Sequence, residues 1–216
     1  MKSYAVGHFA LGYLTAKLTG YVAKTRFNIP IVLTLSVIPD IDLLIPMVEH
    51  RGPFHSVLMA IIIFIPILVS FRKRAFPYLI ALIQHSIIGD FLTGEVQLFW
   101  PLTSKPYGTE MDIRSLTNIT IEWITFTIML FMMLKTKDLH SLLKPNNLNM
   151  VLIIPTLTVL LPSLFAFPLK VPTALIIPHL IMLTIFLASM LTDIKSIFQT
   201  PKTTKKASAK PIASQK

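Results

Sequence analysis

Apolar runs close to the length of a bilayer crossing recur along this chain, and that recurrence constrains the fold more than any other feature. Phe54 to Phe71, Ile119 to Leu134, Leu148 to Phe167 and Val171 to Leu191 each approach the roughly 18 to 20 residues a membrane helix needs. One such run fits a buried core helix; four do not. Charged residues make up only 14% of the chain and hydrophobic ones 53%, whereas a soluble domain carries about a quarter charged. The chain reads as an all-α, multi-pass transmembrane helical bundle.

A formal charge of +10 would suggest nucleic acid in a soluble protein. Here the basic residues sit between apolar runs and in the tail, which is how membrane topology is encoded, so no nucleic-acid partner is expected. The absence of cysteine excludes disulfides and thiolate metal sites. One lysine precedes the first apolar stretch, but no small-residue cleavage site follows it, so this stretch reads as a membrane segment rather than a removed signal peptide.

Polar punctuation divides the chain into about seven segments, 4–23, 29–47, 54–71, 76–93, 117–134, 148–167 and 171–194. Three regions follow: 1–116 with the first four segments and a long loop, 117–194 as a three-helix anchor, and 195–216 as a basic, disordered tail. Placing the tail in the cytoplasm and alternating backwards puts Lys135, Lys137 and Lys144 inside, then Arg72, Lys73 and Arg74, then Lys24 and Arg26. The expected protein lies in the plasma or inner membrane, N-terminus outside and C-terminus inside. Segment two is interrupted at Pro39, and irregular backbone at membrane depth is tolerated only where protein buries it or it lines a wet cavity.

Four polar clusters stand out: Gly7-His8, Pro39-Asp40-Ile41-Asp42, His50 to Ser56, and His85 to Asp90. They hold four of the six histidines, and the topology above puts all four clusters at the outer ends of their segments. Imidazoles and carboxylates together form a ligand set for zinc, with manganese or iron as alternatives, and they neutralise a divalent ion. Each residue also has a plainer reading: an interfacial hydrogen bond for His8, a helix cap for Asp40, a rim ion pair with Glu49 for Arg51. Several ionisable groups without lysine partners favour a metal, because each costs roughly 2.5 to 3.5 kcal/mol inside a membrane segment.

Spacing sets a condition. On a straight α-helix, residues five apart point about 140° away from each other, so neither His50/His55 nor His85/Asp90 would share a face. Gly52-Pro53 supplies a break between the first pair, and Gly89 is expected to loosen the helix before Asp90. Asp40 and Asp42 would likewise diverge unless Pro39 imposes an extended or capping geometry. Arg51 suits a phosphate or oxyanion clamp.

Outside these clusters the expected roles are structural. Glu95, Glu110 and Asp112 solvate the long loop, the alternative being a general base, and Phe99-Trp100-Pro101 marks an aromatic belt, the alternative being a lipid-chain entrance. Glu122 reaches water or the site, and His179 bonds a neighbouring backbone group. Asn118-Ile119-Thr120 has the glycosylation pattern but starts a helix. The tail lysines are expected to hold anionic lipid headgroups.

The order GH, PDID, HRGPFHS, HSIIGDFLT and FWP over roughly the first 101 residues resembles the YdjM-type inner-membrane metal-dependent hydrolases. That family is distantly similar to the zinc-dependent phospholipase C and single-strand nuclease group, whose sites hold several zinc ions between helices. The resemblance implies His8, Asp40, His50, His55, His85 and Asp90 as metal ligands, with Asp42 a further candidate. One feature departs: the family commonly spaces its last histidine and aspartate by four, whereas His85 and Asp90 are five apart.

The expected function is a membrane-embedded hydrolase binding one to three divalent ions, zinc first, that cleaves a phosphoester or other ester of a lipid-like substrate with a metal-activated water. Asp42 would orient the water or bridge ions, and Arg51 would steady developing negative charge. The alternatives are a metal or small-ion transporter, which usually shows repeated halves that this chain lacks, and a non-catalytic scaffold tied by metal.

Overall fold

The computed structural model of the chain describes residues 4–109, 111–165 and 170–199. Glu110 and the tail beyond Gln199, with the lipid contacts expected of it, lie outside the described residues; the first five residues of the expected disordered tail, 195–199, instead continue the last helix.

Helix α1, Ala5–Ala23, begins where a carboxylate meets its unpaired amides: Glu122 accepts from the Tyr4 N–H at 2.7 Å and the Gly7 N–H at 3.2 Å. A negative charge at that end also complements the helix dipole. The helix stops at Lys24, whose left-handed backbone (φ 51°) returns its N–H to Gly20 and Tyr21. Helix α2, Ile29–Leu35, is capped by Asn28 and ends early, giving way to a 3₁₀ helix at Ile38–Leu44 that contains Pro39 and both aspartates.

A 3₁₀ turn at Pro53–His55 leads into α3, Val57–Phe71, capped by Ser56. Another turn, Arg72–Ala75, leads to α4, Phe76–Gln84, which continues as a π-helical turn at His85–Asp90 and ends in α5, Phe91–Thr93. The loop beyond carries a two-stranded antiparallel ribbon, β1 Glu95–Val96 against β2 Tyr107–Gly108. Hydrogen bonds from the Gln97 N–H to the Arg51 carbonyl and from Ser56 Oγ to Leu98 and Trp100 carbonyls tie this loop to the 51–56 turn.

Helix α6, Leu116–Lys135, is capped by Ser115 and followed by the short α7, Asp138–Leu142. Residues Asn147–Phe165 run from a 3₁₀ turn through α8, Ile153–Pro155, and a π turn into α9, Leu161–Phe165. The last helix is α10, Ile176–Gln199. Among the described residues, Leu116–Lys135, Asn147–Phe165 and Thr173–Ile194 are long and apolar enough to cross a membrane. Helix α3, with 15 residues, rises about 22 Å and falls short of the roughly 30 Å hydrocarbon core.

Helix α1 lies at the centre, packed on α4 and α6. One core joins Phe9, Tyr13 and Leu33 to Phe126, Met182 and Phe186, so early and late helices share it. Gly12 allows the closest approach, since a Cβ there would lie 2.3 Å from that of Ser36. At the far end of α1, Asp138 accepts from the Tyr13 hydroxyl at 2.6 Å and Lys17 Nζ at 2.5 Å. Burial would raise the Asp138 carboxyl, but those bonds outweigh it and hold the group below its ordinary value.

Two outcomes follow for melting temperature in detergent. Gly12→Val should destabilise by about 1–3 kcal/mol through overpacking against Ser36. Asp138→Asn should melt below the parent at pH 7. Because a depressed carboxyl stabilises only while ionised, the gap should close as pH falls below about 4.

Candidate metal centre

The broken backbone of the first half brings the polar clusters together. Asp40 and Asp42 come from the 3₁₀ helix after α2, His50 and Arg51 from the following turn, His55 from the turn before α3, and His85 and Asp90 from the π turn. His8 enters from α1. All are buried except His50, which is partly exposed.

His85 Nδ1 donates to the Ser36 carbonyl at 2.8 Å, leaving the Nε2 lone pair facing the cluster. Such a backbone bond fixes the tautomer of a metal-binding imidazole. His85 Nε2 then lies 3.2 Å from His55 Nε2, 3.6 Å from Asp40 Oδ1 and 3.5 Å from Asp90 Oδ2. His55 Nε2 lies 3.1 Å from Asp90 Oδ2 and 3.6 Å from Asp40 Oδ1. Ligands about 2.0–2.1 Å from a tetrahedral zinc are separated by about 3.3 Å. Five of the six separations among these four atoms are therefore close to those of a zinc-sized tetrahedron, and all lie within 4.8 Å.

A second group combines Asp40, Asp42, His50 and His55, so Asp40 and His55 belong to both. Asp42 stands between two imidazoles, with Oδ1 accepting from His50 Nδ1 at 2.9 Å and Oδ2 3.1 Å from His55 Nδ1. The latter contact lacks hydrogen-bond geometry, and both atoms are buried without a hydrogen-bond partner. His50 Nε2 is likewise unpartnered. Burial pushes the His50 imidazole below its ordinary pKa, with Asp42 opposing only in part, so His50 is neutral near pH 7 and offers that lone pair.

Arg51 reaches the centre because its backbone is left-handed (φ 65°). Its Nη2 donates to Asp90 Oδ1 at 2.8 Å and Thr93 Oγ1 at 3.1 Å. The rim pair with Glu49 does not form; Glu49 accepts from Gln97 instead. Arg51 Nε and Nη1 are buried donors without a partner among the described residues. The cluster thus holds three carboxylates and one guanidinium, which bonds Asp90, a negative balance that a divalent ion would correct.

His8 sits apart from the converging atoms. Its ring stacks on His85 with centroids 3.8 Å apart, its Nε2 is 3.8 Å from Asp90 Oδ1, and neither nitrogen has a hydrogen-bond partner. It belongs to neither four-residue group. Glu122 serves the start of α1, and His179 Nδ1 bonds the Leu175 carbonyl at 2.8 Å. The Asn118 amide is buried and donates to Ile113.

Two local expectations change. Asp40 caps no helix; its carboxylate turns to His55 and His85 instead. Gly89 provides clearance more than looseness, because a Cβ there would lie 2.3 Å from His8 Cε1. The five-residue spacing is accommodated by the π turn, whose extra residue per turn returns Asp90 to the face of His85. Sequence reading missed the Ser36 carbonyl and Thr93. A serine beside a helix break and a threonine three residues after Asp90 gave only weak signals.

The profile of the family described as YdjM inner membrane protein matches residues 1–167, past every residue of this centre. No curated protein and no solved structure matches the chain.

Deleting Ile87, which is exposed on the π turn, should restore α-helical spacing with His85 and Asp90 on one face. The shortened protein should keep its metal-to-protein ratio and melt within about 1 kcal/mol of the parent. Gly89→Ala should melt lower because it collides with His8, and adding His8→Ala should recover most of that loss in a double-mutant cycle.

Proposed function

The chain belongs to the YdjM inner membrane protein family, and from that membership and its His/Asp centre we propose that it is a membrane-embedded metal-dependent hydrolase. The tetrahedral spacing of His55, His85, Asp40 and Asp90 carries this reading. Zinc is the ion those nitrogen and oxygen donors suit first, with manganese or iron as alternatives. A bound divalent ion supplies a water acidified to a pKa near 7 and polarises a phosphoryl or carbonyl oxygen.

The residues divide the work. His55, His85, Asp40 and Asp90 form a set that four ligands would close, whereas the adjoining group ends at the partly exposed His50. The His50 side is therefore where water and substrate enter. Asp42 orients the His50 imidazole and holds a proton at its Nδ1. Arg51 keeps one nitrogen on Asp90 and presents its unpartnered Nε and Nη1 to an anionic oxygen, a geometry suited to phosphate.

The substrate is an ester of lipid-like character, in keeping with where the centre lies. On α3, Ile61, Ile63, Ile65, Val69 and Phe71 are exposed and only Phe64 is buried, an apolar surface that needs lipid as solvent. We place all seven segments in the membrane, the N-terminus and metal centre at the outer face, and Lys24, Arg26 and Arg72 to Arg74 at the cytoplasmic face. The burial of His55, His85 and Asp90 favours a second reading, a metal that ties these helices together without catalysis.

Purified in detergent, the parent should retain stoichiometric zinc by elemental analysis, and His55→Ala and His85→Ala should lose it. A metal-free parent defeats both readings. Arg51→Ala should keep its metal yet hydrolyse bis-p-nitrophenyl phosphate or a short-chain phospholipid about a hundredfold more slowly. Metal without turnover of any such ester would leave the scaffold.

A further inference from the structure

A cavity of about 480 Å³ opens between α2 and α3, running from Arg26 before α2 and Arg74 after α3 to Leu35 at the end of α2. That is within the roughly 300–1,000 Å³ of small-ligand sites. Its walls are Ile31 and Leu35 of α2 and Phe64, Ile67 and Phe71 of α3. Ile31 and Leu35 are the two residues of α2 that its neighbours leave partly uncovered. Phe64, Ile67 and Phe71 follow helical spacing along one face of α3. Tyr78 lines the cavity as well, and its hydroxyl accepts from the Asn28 N–H at 2.8 Å, fixing the start of α2 against α4.

Two arginines complete the lining: Arg26, just before α2, and Arg74, in the turn after α3. Both are exposed, and neither has an ion pair among the described residues. No acidic residue occurs in the sequence from Lys24 to Asn28 or from Arg72 to Ala75, and Asp138, which lines a neighbouring cavity with Arg26, is bonded to Lys17 and Tyr13, so positive charge is in excess at this end. A neutral lipid would fill the apolar part and leave that charge unmatched. A free phosphate would meet the arginines and leave the apolar groove bare.

We infer that this groove is a binding site for an anionic phospholipid, one acyl chain lying between α2 and α3 and the phosphate held by Arg26 and Arg74. Basic pockets between membrane helices on the cytoplasmic side suit such headgroups. The site shares with the hydrolase reading only the placement of these helices in lipid, and the metal has no part in it.

The test uses the full chain in non-ionic detergent with added phosphatidylglycerol, phosphatidylcholine or glycerol phosphate, read by native mass spectrometry and melting temperature. Phosphatidylglycerol should be retained and should raise the melting temperature, while the other two should not. Arg26→Ala with Arg74→Ala should weaken retention about thirtyfold, each basic residue beside an anionic headgroup being worth roughly fivefold. Ile67→Trp, which fills the groove and leaves both arginines, should also lose the lipid. Neither change should alter zinc content, so a failed metal reading would register separately. Equal retention of the two lipids, a double variant that binds like the parent, or the same stabilisation from glycerol phosphate would each overturn the inference.

Discussion

Buried negative charge is the constraint around which the first half of this protein is arranged. Asp40, Asp42 and Asp90 lie within one cluster and have a single guanidinium, that of Arg51, among them. Ionised carboxylates taken out of water are costly unless paired, and imidazoles alone repay that cost only if they are protonated. The spacings argue for a different compensation. Asp40 Oδ1 stands 3.6 Å from both His55 Nε2 and His85 Nε2, beyond a good hydrogen bond, yet close to the separation of two ligands on one small cation.

The same constraint explains why the local backbone is irregular. Ending α2 at Leu35 lets the Ser36 carbonyl accept from His85, and the 3₁₀ stretch that follows turns two aspartates inward. A left-handed Arg51 and the Pro53–His55 turn bring His50 and His55 to opposite oxygens of Asp42. Each break surrenders regular helix hydrogen bonds, a loss acceptable in a membrane protein where the segment is enclosed by other helices. Helix α1 provides part of that enclosure, fixed at one end by Glu122 and near the other by Asp138.

Much of this was legible in the residues. The apolar runs located the helical stretches because hydrophobic length is a one-dimensional property, and Leu116–Lys135 lies within a residue of its expected 117–134. The cluster was legible too, since His and Asp are rarely placed beside apolar runs without a role. Three-dimensional details were not. A π turn leaves no compositional mark, so His85 and Asp90 looked divergent until the backbone was known. Gly89 read as a loosening residue because its contact, His8, is distant in sequence. In sequence Arg51 has Glu49 as its neighbouring acid, whereas its carboxylate partner, Asp90, is 39 residues away.

A division of labour between short and long helices follows. The long apolar helices of the second half can be covered by lipid and each other, and they contribute Phe126, Met182 and Phe186 to a core shared with α1. The ends of the short helix α2 are satisfied by groups from elsewhere in the fold, Tyr78 at its start and His85 at its finish, so side chains gather at both extremities. At one extremity these groups converge on a centre with too much negative charge; at the other, Arg26 and Arg74 stand over an apolar groove with too much positive charge. Opposite imbalances toward the two ends of the same short helices favour a cation at the first and an anionic group at the second, and both arise where the helices are broken.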